Sequence, residues 1–155
     1  MTRRAFQIMA AIVALALLVP VAAFASPGSL VINIVTRGDG IVEGRFKVNI
    51  PGVAKIQAYD DLRVVNQELT ILAGGHTGWH SHPGPVLVTV KSGTFRYQED
   101  DCSFRDYTIG QTVVDPGGDH VHIGRNVGAG DLDLAVTYLV PPSVPLRIDV
   151  PAVAC

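Results

Sequence analysis

The chain has 155 residues, with 12 basic and 14 acidic side chains, a net charge of −2 with histidine neutral, and 48% hydrophobic residues. No basic stripe and no interleaving of aromatic with basic side chains runs through it, which argues against nucleic acid as a partner. A chain of this length builds one core of ordinary size.

The first segment stands apart from the rest. Arg3 and Arg4 precede an uncharged apolar run from Ile8 to Phe24, which ends in Ala23-Phe24-Ala25. A short basic start, an apolar stretch and a small-x-small end describe a secretory signal peptide. Residues 1–25 are therefore expected to be a leader cleaved near Ala25. Residues 26–155 would then be a single exported domain, secreted or periplasmic, with no stable membrane insertion after cleavage. Loss of Arg3 and Arg4 takes the 12 basic residues to 10 against 14 acidic ones, so the mature chain is more acidic still.

From Ser26 on, the pattern is that of strands. Short runs rich in β-branched residues recur at Leu30–Val35, Gly44–Ile50, Leu62–Val65, Glu68–Leu72, Val86–Val90, Thr94–Gln98, Thr112–Val114 and Leu134–Leu139. Turn-forming clusters separate them, among them Gly38-Asp39-Gly40, Pro51-Gly52, Pro83-Gly84, Ser92-Gly93 and Pro116-Gly117-Gly118. Many short strands at regular spacing predict an all-β sandwich or barrel. Lys91-Ser92-Gly93-Thr94 reads as a hairpin turn, with Gly93 taking a positive φ. Pro141-Pro142 ends the last long strand, since proline cannot continue a ladder. Residues 26–60 carry no motif. They are expected to extend a sheet, to cover an edge or to build a contact in a homodimer.

There are two cysteines, Cys102 and Cys155. In an oxidising compartment an even count favours a disulfide between them, which would pin the Pro-rich tail 141–155 back on the barrel. Two free thiols, or an intermolecular bond from the terminal one, are the alternatives.

The residues that carry chemistry lie in two stretches. The first is Gly75-His76-Thr77-Gly78-Trp79-His80-Ser81-His82-Pro83-Gly84-Pro85. Residues i and i+2 of a strand share a face, so His80 and His82 can aim at one interior point while Trp79 and Ser81 point away. The second is Gly110 to Asn126, with histidines at His120 and His122. A third imidazole arriving from a separate strand would complete a divalent-metal centre. No nucleophile constellation and no phosphate-binding glycine loop is present.

Together the two stretches resemble the paired motifs of the cupin superfamily, in particular its small single-domain, conserved-barrel members. In the first motif His80, His82 and Gly93 fall in step, with Gly74 or Gly75 near the opening glycine. In the second, Gly110, Pro116, Gly118, His122 and Asn126 match, with one extra residue before the histidine. The resemblance covers about residues 60–140 and implies a double-stranded β-helix, or jelly-roll barrel. It implies His80, His82 and His122 as ligands of a divalent ion, Fe, Zn, Mn, Ni or Cu. His120, His76 and Tyr97 are expected as outer partners or an extra ligand. Tyr97 and Arg96 should lie on the strand beside His80 and His82, and Asn126 should brace a loop. The glutamate of the first motif falls at Val86, which cannot ligate; Glu99 and Glu68 are the candidate replacements.

What such a centre does divides into two readings. One is metal-dependent chemistry on a small molecule, of the dioxygenase, lyase or isomerase kind, with catalytic residues beyond the metal unknown. The other is a non-catalytic cupin that holds a metal or a small ligand. One fold hosts many chemistries, so the substrate does not follow from the fold.

Overall fold

A computed structural model describes residues 26–155, all in strands, turns and irregular segments. The expected signal peptide lies outside the described residues. Twelve strands follow one another: β1 Ser29–Val42, β2 Phe46–Ile50, β3 Ala54–Ala58, β4 Leu62–His76, β5 His80–Ser81, β6 Val86–Ser92, β7 Thr94–Glu99, β8 Phe104–Thr108, β9 Thr112–Asp115, β10 His122–Asn126, β11 Leu132–Val140 and β12 Ile148–Asp149.

Apart from the β2–β3 hairpin, the ladders connect all strands into one curled sheet with two halves. One half runs β1-β4-β11-β6-β9, all antiparallel. The other runs β12-β5-β10-β7-β8. They join where His76 at the end of β4 meets Arg125 of β10. The inner faces supply the core. β11 alternates strictly, with Leu132, Leu134, Val136, Tyr138 and Val140 buried. They pack with Val65 and Ile71 of β4, Val86 and Val90 of β6, and Phe95 and Tyr97 of β7. This is a double-sheet, all-β barrel of the jelly-roll kind.

Several expected boundaries shift, each for a physical reason. The runs Leu62–Val65 and Glu68–Leu72 are one strand. The polar pair between them stays in the ladder because its side chains have cross-strand partners: Thr137 donates to Asn66 Oδ1 at 2.8 Å and Gln67 donates to Thr36 Oγ1 at 3.2 Å. Gly38-Asp39-Gly40 is not a turn but part of β1, where Asp39 accepts a forked pair of hydrogen bonds from Arg63 at 2.8 and 2.6 Å. Lys91–Thr94 is not a hairpin. β6 pairs with β9 and β11, and β7 pairs with β8 and β10, so the turn carries the chain from one half of the barrel to the other. Gly93 does take a positive φ, 80°, and a side chain there would meet the Asp131 carbonyl at 2.8 Å.

One close approach places the site. A Cβ on Gly84 would lie 2.2 Å from the Leu139 carbonyl, and one on Gly117 would lie 2.3 Å from the backbone of Gly84. Only glycine lets these three segments touch. The turn after His82 is thereby pressed against the loop that leads to His122.

Of the segment 26–60, β1 extends the sheet along β4. The β2–β3 hairpin pairs only with itself, and Val48, Ile50, Val53, Ile56 and Tyr59 on or beside it are exposed. At the other end, Val150 N–H donates to the Trp79 carbonyl and Ser26 N–H to the Val150 carbonyl, so both ends of the described chain lie against the His80 segment. Cys102 and Cys155 are disulfide-bonded, with their Cα atoms 5.6 Å apart.

Candidate metal centre

Two stretches of chain deliver three histidines to one point. His80 stands on β5 and pairs with His122 on β10, while His82 follows β5 by one residue. Each ring offers a nitrogen within 4.8 Å of those of the other two. Ring centroids are 4.3 Å apart for His80 and His122, 4.8 Å for His80 and His82, and 5.2 Å for His82 and His122. All three are about 5% exposed, so they face the interior rather than water.

Each ring is oriented by a backbone carbonyl. His80 Nδ1 donates to the Gly78 carbonyl at 2.8 Å, and His82 Nδ1 donates to the Leu146 carbonyl at 2.7 Å. A carbonyl only accepts, so the proton sits on Nδ1 and the Nε2 lone pair is left free. His122 Nδ1 lies 3.4 Å from the His120 carbonyl, a weaker contact of the same kind. Burial pushes the His80 pKa down to about 2, helped by the neighbouring His122. Burial likewise lowers His122, to about 4, with Asp115 pulling the other way. His82 is lowered by burial, against the Leu146 bond and Asp115. All three imidazoles are neutral at pH 7, the form that binds metals.

The sequence reading placed Tyr97 and Arg96 beside the His80–His82 strand. In the structure β7 pairs with β10, so Tyr97 is a neighbour of His122 instead. The Tyr97 ring stacks on His122 with centroids 4.7 Å apart. Burial raises its pKa well above the usual phenol range. Its hydroxyl donates to Asp115 Oδ1 at 3.3 Å and lies 3.2 Å from His120 Nδ1. His120 is half-buried and bridges outward, with Nε2 3.2 Å from Glu99. His76 is separate from the three-histidine group: its Nδ1 accepts the Gly78 N–H at 3.1 Å, and burial and Arg125 lower its pKa.

Trp79 is 3% exposed, and its carbonyl accepts the Val150 N–H of the tail. Asn126 braces the Gly128–Gly130 loop. Its Nδ2 donates to the Ile71 and Gly130 carbonyls, both at 2.8 Å, and its Oδ1 accepts the Gly128 N–H at 2.9 Å.

Neither expected substitute for the missing glutamate reaches the centre. Glu68 is on the outer surface, bridging Arg37 and Lys91. Glu99 reaches only as far as His120. The carboxylate beside the histidines is Asp115 on β9, which the sequence reading did not single out. It is 1% exposed, and Oδ2 lies 3.9 Å from His82 Nε2 and 3.8 Å from His122 Nδ1. Asp115 also groups with His120 and His122 in a second, overlapping donor set. Its position one residue before Pro116-Gly117-Gly118 was the signal available in the sequence.

The three histidines open onto a cavity of about 650 Å³. Its walls are mostly apolar, with Val88, Phe95, Val136 and Tyr138 from the barrel and Leu30 and Ile34 from β1. The tail contributes Pro145, Leu146, Arg147 and Asp149.

No protein-family model and no curated protein matches the sequence. Solved structures do match. A conserved protein with a double-stranded β-helix domain from Klebsiella pneumoniae is similar over 57% of this chain and 76% of that one, at 18% identity and a TM-score of 0.50. The chain folds as a double-stranded β-helix. A cupin-like protein from Thermotoga maritima is similar over 61% of this chain and 79% of its own, at 20% identity and a TM-score of 0.49. A conserved protein of unknown function from Streptococcus pyogenes is similar over 52% and 67%, at 25% identity and a TM-score of 0.45. Among the described residues no helix is long and apolar enough to cross a membrane. Its disulfide fits a non-reducing compartment.

Proposed function

We propose that the protein is an exported cupin in which His80, His82 and His122 hold a divalent metal ion and present it to a small molecule in the barrel cavity. The observation that carries this reading is the commitment of two buried, neutral rings to backbone carbonyls through Nδ1. That leaves His80 Nε2 and His82 Nε2 facing a point that His122 also reaches. Imidazole donors suit Fe, Zn, Ni and Cu ions. When bound, such an ion supplies Lewis-acid or O₂ chemistry to an oxygen group of the ligand.

The chain's own residues define what enters. The apolar walls favour a molecule with a hydrocarbon or aromatic body and one oxygen-bearing end directed at the histidines. Arg147, paired with Asp149 in the tail, is the cationic group lining the cavity among the described residues.

A binding role without turnover is the second reading, and one observation favours it. Apart from the histidines and the Arg147–Asp149 pair, the ionisable groups lining the cavity are Tyr97 and Tyr138. Burial pushes Tyr138 up to about 12 and Tyr97 higher, so both stay protonated at neutral pH. Neither is a ready general base.

Metal analysis of the purified exported protein tests the proposal. One tightly held ion per chain in wild type, lost in His80→Ala, supports it; a metal-free protein that takes up none on titration overturns it. O₂ uptake or product formation with a panel of small aromatic and aliphatic oxygen compounds then separates enzyme from binder.

A further inference from the structure

The carboxylate that three neutral imidazoles lack is supplied from an unexpected strand. We propose that Asp115 is the fourth protein ligand of the metal, binding through Oδ2 to the ion held by His80, His82 and His122. The inference rests on the three-histidine reading above.

The two oxygens of Asp115 have different surroundings. Oδ1 is satisfied, accepting the Gly117 N–H at 3.1 Å and the Tyr97 hydroxyl at 3.3 Å. Oδ2 is the one buried side-chain polar atom among the described residues with no hydrogen-bond partner. A buried carboxylate oxygen is costly unless it meets a proton donor or a cation. The nitrogens beside it are too far for hydrogen bonds, at 3.8 and 3.9 Å. His82 has no proton to give it, because the one it carries points at Leu146.

Ligation accounts for the distance to His82, whereas the His122 nitrogen at 3.8 Å is Nδ1, the one turned to the His120 carbonyl. Donors bonded to one ion at about 2.0–2.2 Å sit roughly 3–4 Å from each other. The 3.9 Å from Oδ2 to His82 Nε2 is within that spacing. Gly117 N–H and the Tyr97 hydroxyl then act on the carboxylate as outer partners do, holding Oδ1 so that Oδ2 faces inward.

The ladder explains how this position replaces the one that the cupin pattern uses. Val86 stands where the pattern has glutamate, and Val86 and Asp115 are direct partners across β6 and β9. The negative charge has moved one strand sideways at the same level of the barrel. A dication bound there carries one compensating charge rather than none, and its remaining positions stay open to a ligand.

The test is titration of the apo full-length chain with Zn²⁺ and Co²⁺. Wild type, Asp115→Asn, Val86→Glu/Asp115→Asn and His80→Ala are compared. We expect Asp115→Asn to weaken binding by more than about 100-fold, beyond the 10–100-fold that loss of an outer partner costs. Its visible Co²⁺ spectrum should change, its apo form should melt no lower than wild type, and the double variant should recover affinity. Unchanged affinity in Asp115→Asn overturns the inference, and so does weaker binding with an unchanged Co²⁺ spectrum; either leaves the three-histidine reading standing. Absence of binding by wild type overturns that reading itself.

Discussion

Val86 and Asp115 face each other across the β6–β9 ladder, both fully enclosed by the barrel. One is an apolar core residue and the other a carboxylate whose Oδ2 has no hydrogen-bond partner. Replacing Val86 by Glu should therefore place two carboxylates side by side in a dry setting. In the apo protein Val86→Glu is expected to cost about 3 kcal/mol or more, from an uncompensated buried charge. Saturating Zn²⁺ should recover most of that loss, because the same oxygens become ligands. Thermal melts with chelator and with Zn²⁺ check this; equal destabilisation under both conditions would place residue 86 away from the metal.

The pH dependence of the apo protein follows from the buried histidines. In the folded chain burial holds His122 neutral down to about 4 and His80 down to about 2. An unfolded histidine takes a proton near 6.5. Below that pH the unfolded state binds more protons, so stability is full above about 6.5 and falls as pH drops toward about 4. The slope should be about 1.4 kcal/mol per pH unit for each such histidine. Chemical denaturation of chelator-treated protein at pH 7.5, 5.5 and 4.5 measures it. Replacing His80 by Gln should flatten the slope.

The tail is expected to couple the disulfide to the centre. Residues 141–155 supply β12, four cavity-lining residues and the Leu146 carbonyl that orients His82. The Cys102–Cys155 bond, closing a separation of 53 residues, holds their end. Chain entropy alone predicts a stabilisation of about 4 kcal/mol. A Cys102→Ser/Cys155→Ser variant should lose stability of that order. It should also bind metal more weakly, since His82 loses its orienting partner when the tail lifts. Calorimetric titration of the variant against wild type would show both, and intact affinity would mean the tail stays docked without its bond.

Asn126 offers a control in the same strand as His122. Its side chain satisfies three backbone groups and touches none of the three histidines' bonding partners. Asn126→Ala should cost about 3 kcal/mol through carbonyls left unpaired in the interior. Metal affinity of the folded fraction should stay within a few-fold of wild type. Denaturant melts and metal titration on the same preparation separate the two effects.

The strand pattern, the turn glycines and the two histidine stretches were legible in the amino-acid order because each is a local property. Alternation along β11, the positive φ of Gly93 and the His-x-His step need no knowledge of neighbours. The paired motifs singled out His122 over His120, and the rings of His80, His82 and His122 do meet in the barrel. Three things were not legible. Asn66-Gln67 looked like a break between strands because its cross-strand partners, Thr137 and Thr36, are distant in sequence. Lys91–Thr94 looked like a hairpin because a turn's residues do not say which sheet the next strand joins. Asp115 looked like an ordinary residue before a proline.

Those misses share one physical reason. A side chain's direction along its own strand is set by backbone geometry with a period of two, so sequence alone decides which histidines can share a face. Which strand lies beside which is set by the packing of both halves around one core, and that depends on contacts between residues far apart in the chain. The neighbours Val86 and Asp115, and the Leu146 carbonyl on His82, exist only once β6, β9 and the tail are laid against one another. The amino-acid order determined an all-β chain with metal-type histidines; the tertiary structure decided that a carboxylate from β9 and a carbonyl from the tail stand beside them.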